Sequence, residues 1–256
     1  MYKRVVNKPI TAVRVNREKT INIAADLFIS SLVGKHVIEM ERRAKYLIFH
    51  MSSGQFLLLH LMLGGFMHLG NEADRPERST QVEIDFGPET LYFMGLRLGF
   101  LHLLDESQVQ EKLEELGPEP LSGEYTLSQF LASLKDKKSS LKTLLPNQQW
   151  LAGIGNSYSD EICFDVGIVP MRKINECSKS ELSDLFHSIQ TVLLDAVRKG
   201  GYMEVPLYAG DKLTGGYNPH FRVYDRGGEP CVRCEAPLKK IELASRKCFY
   251  CTNCQH

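Results

Sequence analysis

The sequence predicts an α+β chain of several domains: a β-rich first part, a helical middle and a small metal-stapled tail. Three observations point to it. Up to about residue 104 the apolar residues come in short β-rich runs cut by turn residues. After Asp105 they recur at helical period. Five of the seven cysteines fall in the last 26 residues. The expected domains are 1–104, 105–220 and 221–256.

In the first part ITAVRV, VIEME, KYLIFHM, QFLLLHLML, QVEIDF and LYFMGL read as strands, separated by turns such as SSG and FGPE. Residues 22–32 interrupt them with Ile23, Leu27, Ile29 and Leu32 at helical spacing, and Gly34 ends that helix. In the middle part QVQEKLEEL, LSQFLASL, SSLKTLL and NSYSDEICFDV all repeat at helical period. The longest helix opens on a capping box, Ser178 with Glu181, and runs to Gly200-Gly201. Residues 201–220, rich in Gly, Tyr and Pro, read as a loop, and the tail from Phe221 reads as a short hairpin carrying cysteines.

Composition narrows the class. An apolar fraction of 43% over 256 residues supports real cores and excludes disorder. No apolar run is long enough to span a membrane, and the N-terminus lacks a secretory pattern, so a cytoplasmic, nucleoid-associated protein is expected. Formal charge is zero, but unevenly spread. Residues 105–124 hold seven acids against Lys112, whereas residues 212–256 hold eight Lys/Arg against four acids. Zero net charge argues weakly against a nucleic-acid binder, but this uneven spread is compatible with a basic face on a neutral protein.

The tail spells C-x2-C-x16-C-x2-C with Cys231, Cys234, Cys251 and Cys254. Each pair supplies the tight turn that one face of a tetrahedral zinc requires, and four thiolates leave no open position. One structural Zn2+ is therefore expected, folding a hairpin and doing no chemistry. Cys163, Cys177 and Cys248 read as small core residues. Lys239, Lys240, Arg246 and Lys247 lie between the knuckles, either as a solvated hairpin or as cations offered to phosphate. In LAGIGNSYSDEICF, residues 151–164, a Gly153/Gly155 turn places Asn156 at a helix start, where N–H groups suit an anion. An Asn after a glycine turn is also an ordinary helix cap.

Taken together, GIGNSYSDE after KTLLPNQQWLAG, the tail RVYDRGGEPCVRC with FYCTNCQ, ERRAKYLIF, LLLHLMLGG and LGPEPLS resemble the formamidopyrimidine-DNA glycosylase and endonuclease VIII family, in order, from about Ile10 to Gln255. The resemblance implies an N-terminal β-sandwich, a helix-two-turns-helix domain and a C-terminal zinc finger. It implies one activity, excision of oxidised bases from duplex DNA with cleavage at abasic sites, and a monomer as the working unit. It assigns Lys45 and Arg246 to the catalytic set; with Asn156, these two grip the phosphates flanking a lesion. His60 lies near the DNA backbone, Lys138 and Lys142 belong to the helical domain's DNA-binding set, and Tyr158 and Glu161 support the phosphate-binding turn. On residue type alone, Lys45 is an ordinary strand-edge lysine, His60 a structural histidine, and Lys138 and Lys142 a solvated helix face.

Enzymes of this kind must take a base out of the stack, and inserted side chains fill the hole. The family uses a Met from H-L-G-M-S-G with Arg and Phe from R-R-F-G. This chain has Leu63, Arg97 and Leu98 at those places, an apolar wedge without the stacking ring. It also departs at the front. Family members begin, after Met removal, with Pro-Glu at the head of a helix; the amine attacks the sugar C1′ and the Glu handles protons. Here Tyr2, Lys3 and Arg4 stand where that helix would end, and Glu18 is the first acid. Impaired or absent Schiff-base chemistry is the corresponding expectation. Three functions remain distinct: a bifunctional glycosylase and lyase, a non-catalytic binder of damaged DNA, and a zinc-ribbon RNA-binding protein. The last accounts for the cysteines but not for the helix-two-turns-helix resemblance.

Overall fold

The computed structural model describes residues 2–256. The chain divides into two compact units, one of residues up to Glu115 with Glu204–Thr214, the other of Leu116–Met203 with Gly215–His256.

The first unit opens with α1 (Tyr2–Val5), β1 (Ala12–Val15), α2 (Ala25–Leu32), β2 (Val37–Arg43) and β3 (Tyr46–Met51). It continues with β4 (Phe56–His60), β5 (Phe66–Gly70), β6 (Thr80–Asp85), β7 (Thr90–Met94), β8 (Phe100–Leu104) and α3 (Glu106–Glu114). The strands form two four-stranded antiparallel sheets, β1-β6-β7-β5 and β2-β3-β4-β8. Both contribute to one core, with Val13, Val82, Ile84, Leu91 and Phe93 from the first and Phe49, Leu57, Leu59, Leu101 and Leu103 from the second. This is the expected β-sandwich. The unbroken apolar run of β4 has a specific cause. Leu57 and Leu59 face the sandwich core, while Leu58, with Ile48 and Leu104, packs against Val109 of α3. A strand covered on both faces reads as continuous rather than alternating.

Two strands escaped the sequence reading, β5 and β8. Each follows a glycine-bounded turn inside a run that reads as continuing. LYFMGL ends at Met94 because Gly95 turns at φ +67, and QFLLLHLML ends at His60 because Met62 turns at φ 51. The residue 22–32 helix is confirmed as Ala25–Leu32, buried through Phe28 and Leu32 and stopped before Gly34 at φ +79. Helix α3 clusters with the sandwich, so the first compact unit runs past the expected division at 104/105.

The second unit contains α4 (Leu127–Ser133), α5 (Leu141–Leu144), α6 (Asn156–Val166), α7 (Lys179–Arg198) and the hairpin β9 (Lys239–Leu243) with β10 (Arg246–Tyr250). Phe130, Leu141, Leu145, Leu151, Ile162, Leu185 and Ile189 make its main core. The α7 capping box is present: the Ser178 hydroxyl accepts the Glu181 N–H at 3.2 Å, and the Glu181 carboxylate accepts the Ser178 N–H at 2.7 Å. Helix α6 runs through the centre, buried at Ser157 and from Ser159 to Phe164. Its last buried side chain, Phe164, joins a second core with Val223, Leu238, Phe249, Cys231 and Cys251. One helix thus serves both the helical bundle and the cysteine module.

The loop expected at 201–220 is ordered by specific bonds. In the first unit, the Leu69 N–H donates to Leu207 O at 2.7 Å and His68 Nδ1–H to Pro206 O at 3.1 Å. The Asp211 carboxylate accepts the N–H groups of Leu207, Leu213 and Thr214 at 3.0–3.2 Å. Burial alone would raise its pKa, but these bonds prevail and hold it down at about 2. Among the described residues no helix is long and apolar enough to cross a membrane.

Candidate nucleic-acid interface

In the first unit the sequence-predicted residues gather at one end of the β3–β4 hairpin. Lys45 follows Ala44, whose φ of 53 makes the tight β2–β3 turn, and it lines a recess of about 150 Å³ with Leu47, Leu59, Leu61 and Met67. His60 lies across from Tyr46 in register, their rings edge-on at 4.8 Å. Its Nδ1 accepts the Met62 N–H at 3.1 Å, which leaves the proton of the neutral ring on Nε2 as a donor. Burial and then the neighbouring Lys45 charge lower the His60 pKa, so the ring is neutral at pH 7. It offers a hydrogen bond, not a charge.

The wedge residues sit on two nested loops. A side chain at Gly95 would collide with Gly64 O, and one at Gly99 with His60 O, so these glycines let the β4–β5 and β7–β8 turns close on one another. Leu96 is fully buried beneath them; its N–H donates to Gln81 Oε1 at 3.1 Å and its carbonyl accepts Arg17 Nη1 at 3.1 Å. From this anchored frame Leu63 stands 84% exposed and Leu98 65% exposed, with Arg97 exposed between the loops' anchors. Two large apolar side chains held in water by a braced backbone form a surface suited to insertion. Met62, 54% exposed, belongs to the same tip and was missed, because the family has Gly at its place.

In the second unit the turn before α6 is built by Gln148. Its amide donates to Pro146 O and Ile154 O at 2.8 and 2.9 Å, and its oxygen accepts the Gly153 N–H at 2.9 Å. Asn156 opens α6, and its Nδ2 donates to the Lys247 carbonyl at 3.0 Å, while Oδ1 is buried without a partner. Arg246 is exposed at the start of β10, directly after the Ala244-Ser245 turn, whose φ values of 50 and 57 are those of a tight hairpin. Lys138 is exposed in the loop after α4.

Lys142 departs from expectation. Its side chain has no solvent exposure and its Nζ donates to Asp160 Oδ1, to Ser159 Oγ at 3.3 Å and to Asn156 O at 3.3 Å. A cation committed to a buried carboxylate cannot also meet a phosphate in this conformation. The SSLKTLL pattern conceals this because α5 is one turn long and faces inward on almost every side: Leu141, Lys142 and Leu144 are all buried. Burial raises the Asp160 pKa to about 6, against the pull of Lys142 and of the Phe249 N–H.

The next carboxylate, Glu161, is also fully buried, and it accepts the backbone N–H groups of Arg222, Val223 and Tyr224 at 2.9–3.1 Å. Glu161 therefore holds the approach to the cysteine module, not the turn before α6 that it was expected to support.

That module has the geometry of a closed zinc site. The thiol donors of Cys231, Cys234, Cys251 and Cys254 lie within 4.8 Å of one another, with Cys231–Cys254 at 3.9 Å and Cys234–Cys251 at 3.5 Å. Zinc–sulfur bonds of about 2.3 Å in a tetrahedron put sulfurs about 3.8 Å apart, so the four residues fit a structural Zn2+. Cys248 and Cys163 are buried, and burial pushes the Cys248 thiol up to about 12 and Cys163 upward also, so both remain neutral core residues. Arg233, between the first two cysteines, donates to Phe164 O at 2.7 Å and Asp165 O at 3.1 Å, capping the C-terminal end of α6.

Comparison with known proteins gives concordant matches along the chain. Residues 1–100 match the formamidopyrimidine-DNA glycosylase N-terminal domain, 116–205 its H2TH domain, and 228–256 a zinc finger found in FPG and IleRS. A formamidopyrimidine-DNA glycosylase of Listeria monocytogenes is 32% identical over 260 residues, covering 100% of this chain and 95% of its own. One from Herpetosiphon aurantiacus is 34% identical over 233 residues, covering 90% of this chain and 85% of its own. Among solved structures, Lactococcus lactis Fpg with abasic-site DNA superimposes with a TM-score of 0.91 at 28% identity, over 99% of this chain and 94% of that one. The same protein with DNA containing N7-benzyl-Fapy-dG gives 0.90.

Proposed function

This chain belongs to the formamidopyrimidine-DNA glycosylase family, and from that premise we propose that it is a base-excision-repair protein that recognises oxidised bases and abasic sites in duplex DNA. The observation that carries the reading is the pair of nested loops presenting Leu63, Arg97 and Leu98. A base drawn out of the helix leaves a gap whose cost falls when apolar groups fill it. Arg97 can hydrogen-bond the base left without a partner. Lys45 on the sandwich, with Arg246 and Asn156 on the helical unit, supply the phosphate contacts, and zinc holds the hairpin that carries Arg246.

The chemistry expected of the family is attack by an amine on the sugar C1′, expulsion of the base and a Schiff base that leads to strand cleavage, with a carboxylate handling protons. Incubating the zinc-loaded chain with duplex containing an oxidised base, then with abasic-site duplex plus borohydride, tests this. Specific binding with base excision and covalent trapping supports the glycosylase reading; specific binding with neither contradicts the chemistry and leaves recognition of damaged DNA alone.

A further inference from the structure

Helix α6 and strand β10 are locked in one register by two side chains. Asn156 Nδ2 donates to the Lys247 carbonyl at 3.0 Å, and Asp160 Oδ2 accepts the Phe249 N–H at 3.1 Å. Four residues of helix advance about 6.0 Å, and two residues of strand about 6.8 Å. The two spacings are commensurate, so the pair of bonds forms together. A slip of one residue along β10 would break both, because successive backbone groups point to opposite sides. Lys142 completes the arrangement by donating to the other oxygen of Asp160, which fixes the carboxylate's rotation and balances its charge away from water.

We infer that Asp160 is a positioning residue for Arg246: by holding Phe249 it sets β10 against the start of α6, so that Arg246 and Asn156 present a single phosphate-binding edge. This rests on the reading that Arg246 and Asn156 meet phosphate. One of the two Nδ2 hydrogens of Asn156 is held by the Lys247 carbonyl, so the direction of the other, which a phosphate would accept, depends on where β10 lies. Glu161 holds residues 222–224, and the four thiols hold the knuckles, but neither reaches the part of β10 that carries Arg246. Asp160 and Asn156 do.

Substituting Asp160 alone would strand the buried Lys142 cation, so the test uses paired variants of the full chain with zinc bound. Lys142→Met/Asp160→Asn removes both charges and keeps an acceptor for the Phe249 N–H. Lys142→Met/Asp160→Ala removes the acceptor as well. The readout is the salt dependence of binding to a duplex carrying a tetrahydrofuran abasic analogue, beside Arg246→Ala and zinc content. The asparagine pair should keep the parent slope. The alanine pair should bind about tenfold more weakly, with its log–log slope reduced by about 0.9, as Arg246→Ala does. Zinc should remain at one per chain throughout, since the thiols are untouched. An unchanged slope in the alanine pair while Arg246→Ala lowers it overturns the positioning role alone. An unchanged slope in Arg246→Ala overturns the phosphate role of Arg246, and this assignment with it. Loss of zinc in the alanine pair, or equal loss of slope in both pairs, makes Asp160 structural only and also overturns it.

Discussion

Glu161 of α6 and Arg222 of the segment entering the zinc module are joined three ways: the carboxylate accepts the Arg222 N–H at 3.0 Å, its Nε–H at 3.3 Å, and the guanidinium reaches the Glu161 carbonyl at 3.3 Å. With Asp165 accepting from the same guanidinium at 2.6 Å, this makes the start of the finger an extension of the helix rather than a tethered appendage. Burial opposes the charge on Arg222, but its two carboxylate partners prevail and raise its pKa. The first consequence concerns the metal. Stripping zinc with a chelator should unfold residues beyond the Glu161 clamp and abolish tight DNA binding, while the sandwich keeps its structure. Circular dichroism and a binding titration on the same sample check this; full affinity after complete zinc loss would remove the finger from the function.

The buried pair makes Lys142 and Lys138 unequal. Lys142→Ala removes the cation that opposes burial at Asp160, so the carboxyl must take up a proton or stay charged without its partner at a site with no solvent exposure, which should cost up to about 3–5 kcal/mol. Lys138→Ala, at an exposed loop position, should fall within about 0.5 kcal/mol of the parent. Urea titration of both variants decides it, and equal stabilities would show that the pair is not formed in solution.

Salt dependence counts the phosphate contacts. With Lys142 withdrawn, the cations proposed to meet DNA are Lys45, Lys138 and Arg246, which give a log–log slope of about −2.7. Arg246→Ala should reduce its magnitude by about 0.9 on all sequences alike. A slope much steeper than −2.7 in the parent would mean that basic residues outside this set meet the backbone.

The wedge should divide its labour. Arg97→Ala is expected to cost more discrimination between opposite bases than Leu98→Ala, because only Arg97 has donors for the base left behind. Leu63→Ala should weaken binding to abasic-site duplex without changing base preference. Competition titrations with the four opposite bases check this, and the reverse order for Arg97 and Leu98 would break the assignment of the loop.

His60 carries a pH prediction. Its folded pKa is lowered by burial and by Lys45, so the folded state binds the proton less well than the unfolded chain does. The stability tied to its neutral form is present above the unfolded value of about 6.5 and is lost as pH falls through that value toward the lower folded one. NMR should find His60 neutral at pH 7 with the proton on Nε2. A folded pKa above 6.5 would mean that the ring serves phosphate as a charge.

What was legible in the sequence followed from local rules. The cysteine knuckles are set by spacing, the α7 boundaries by the Ser178 box and Gly200-Gly201, and the α6 start by the Gly153-to-Asn156 turn. What was illegible depends on contacts between distant residues. Nothing near Lys142 reveals that its partner is Asp160, eighteen positions on, or that α5 faces inward. Gln148 and Arg233 likewise look like surface residues until the turn and the helix end that they satisfy are placed beside them. The strands β5 and β8 were hidden for a related reason: the glycines before them, Gly64 at φ +77 and Gly95 at φ +67, sit in apolar stretches that read as continuing strands, and only the packing of one turn on the other shows where each strand restarts.

Recognition of damaged duplex is the central claim, and equilibrium affinity tests it most directly. The zinc-loaded chain is titrated with a duplex carrying a tetrahydrofuran abasic analogue and with the same duplex undamaged, at about 0.1 M salt. Specific recognition should make the first at least about tenfold tighter, a difference of about 1.4 kcal/mol, and the preference should shrink when Leu63, Arg97 and Leu98 are all replaced by alanine. Equal affinity for the two duplexes would contradict the claim.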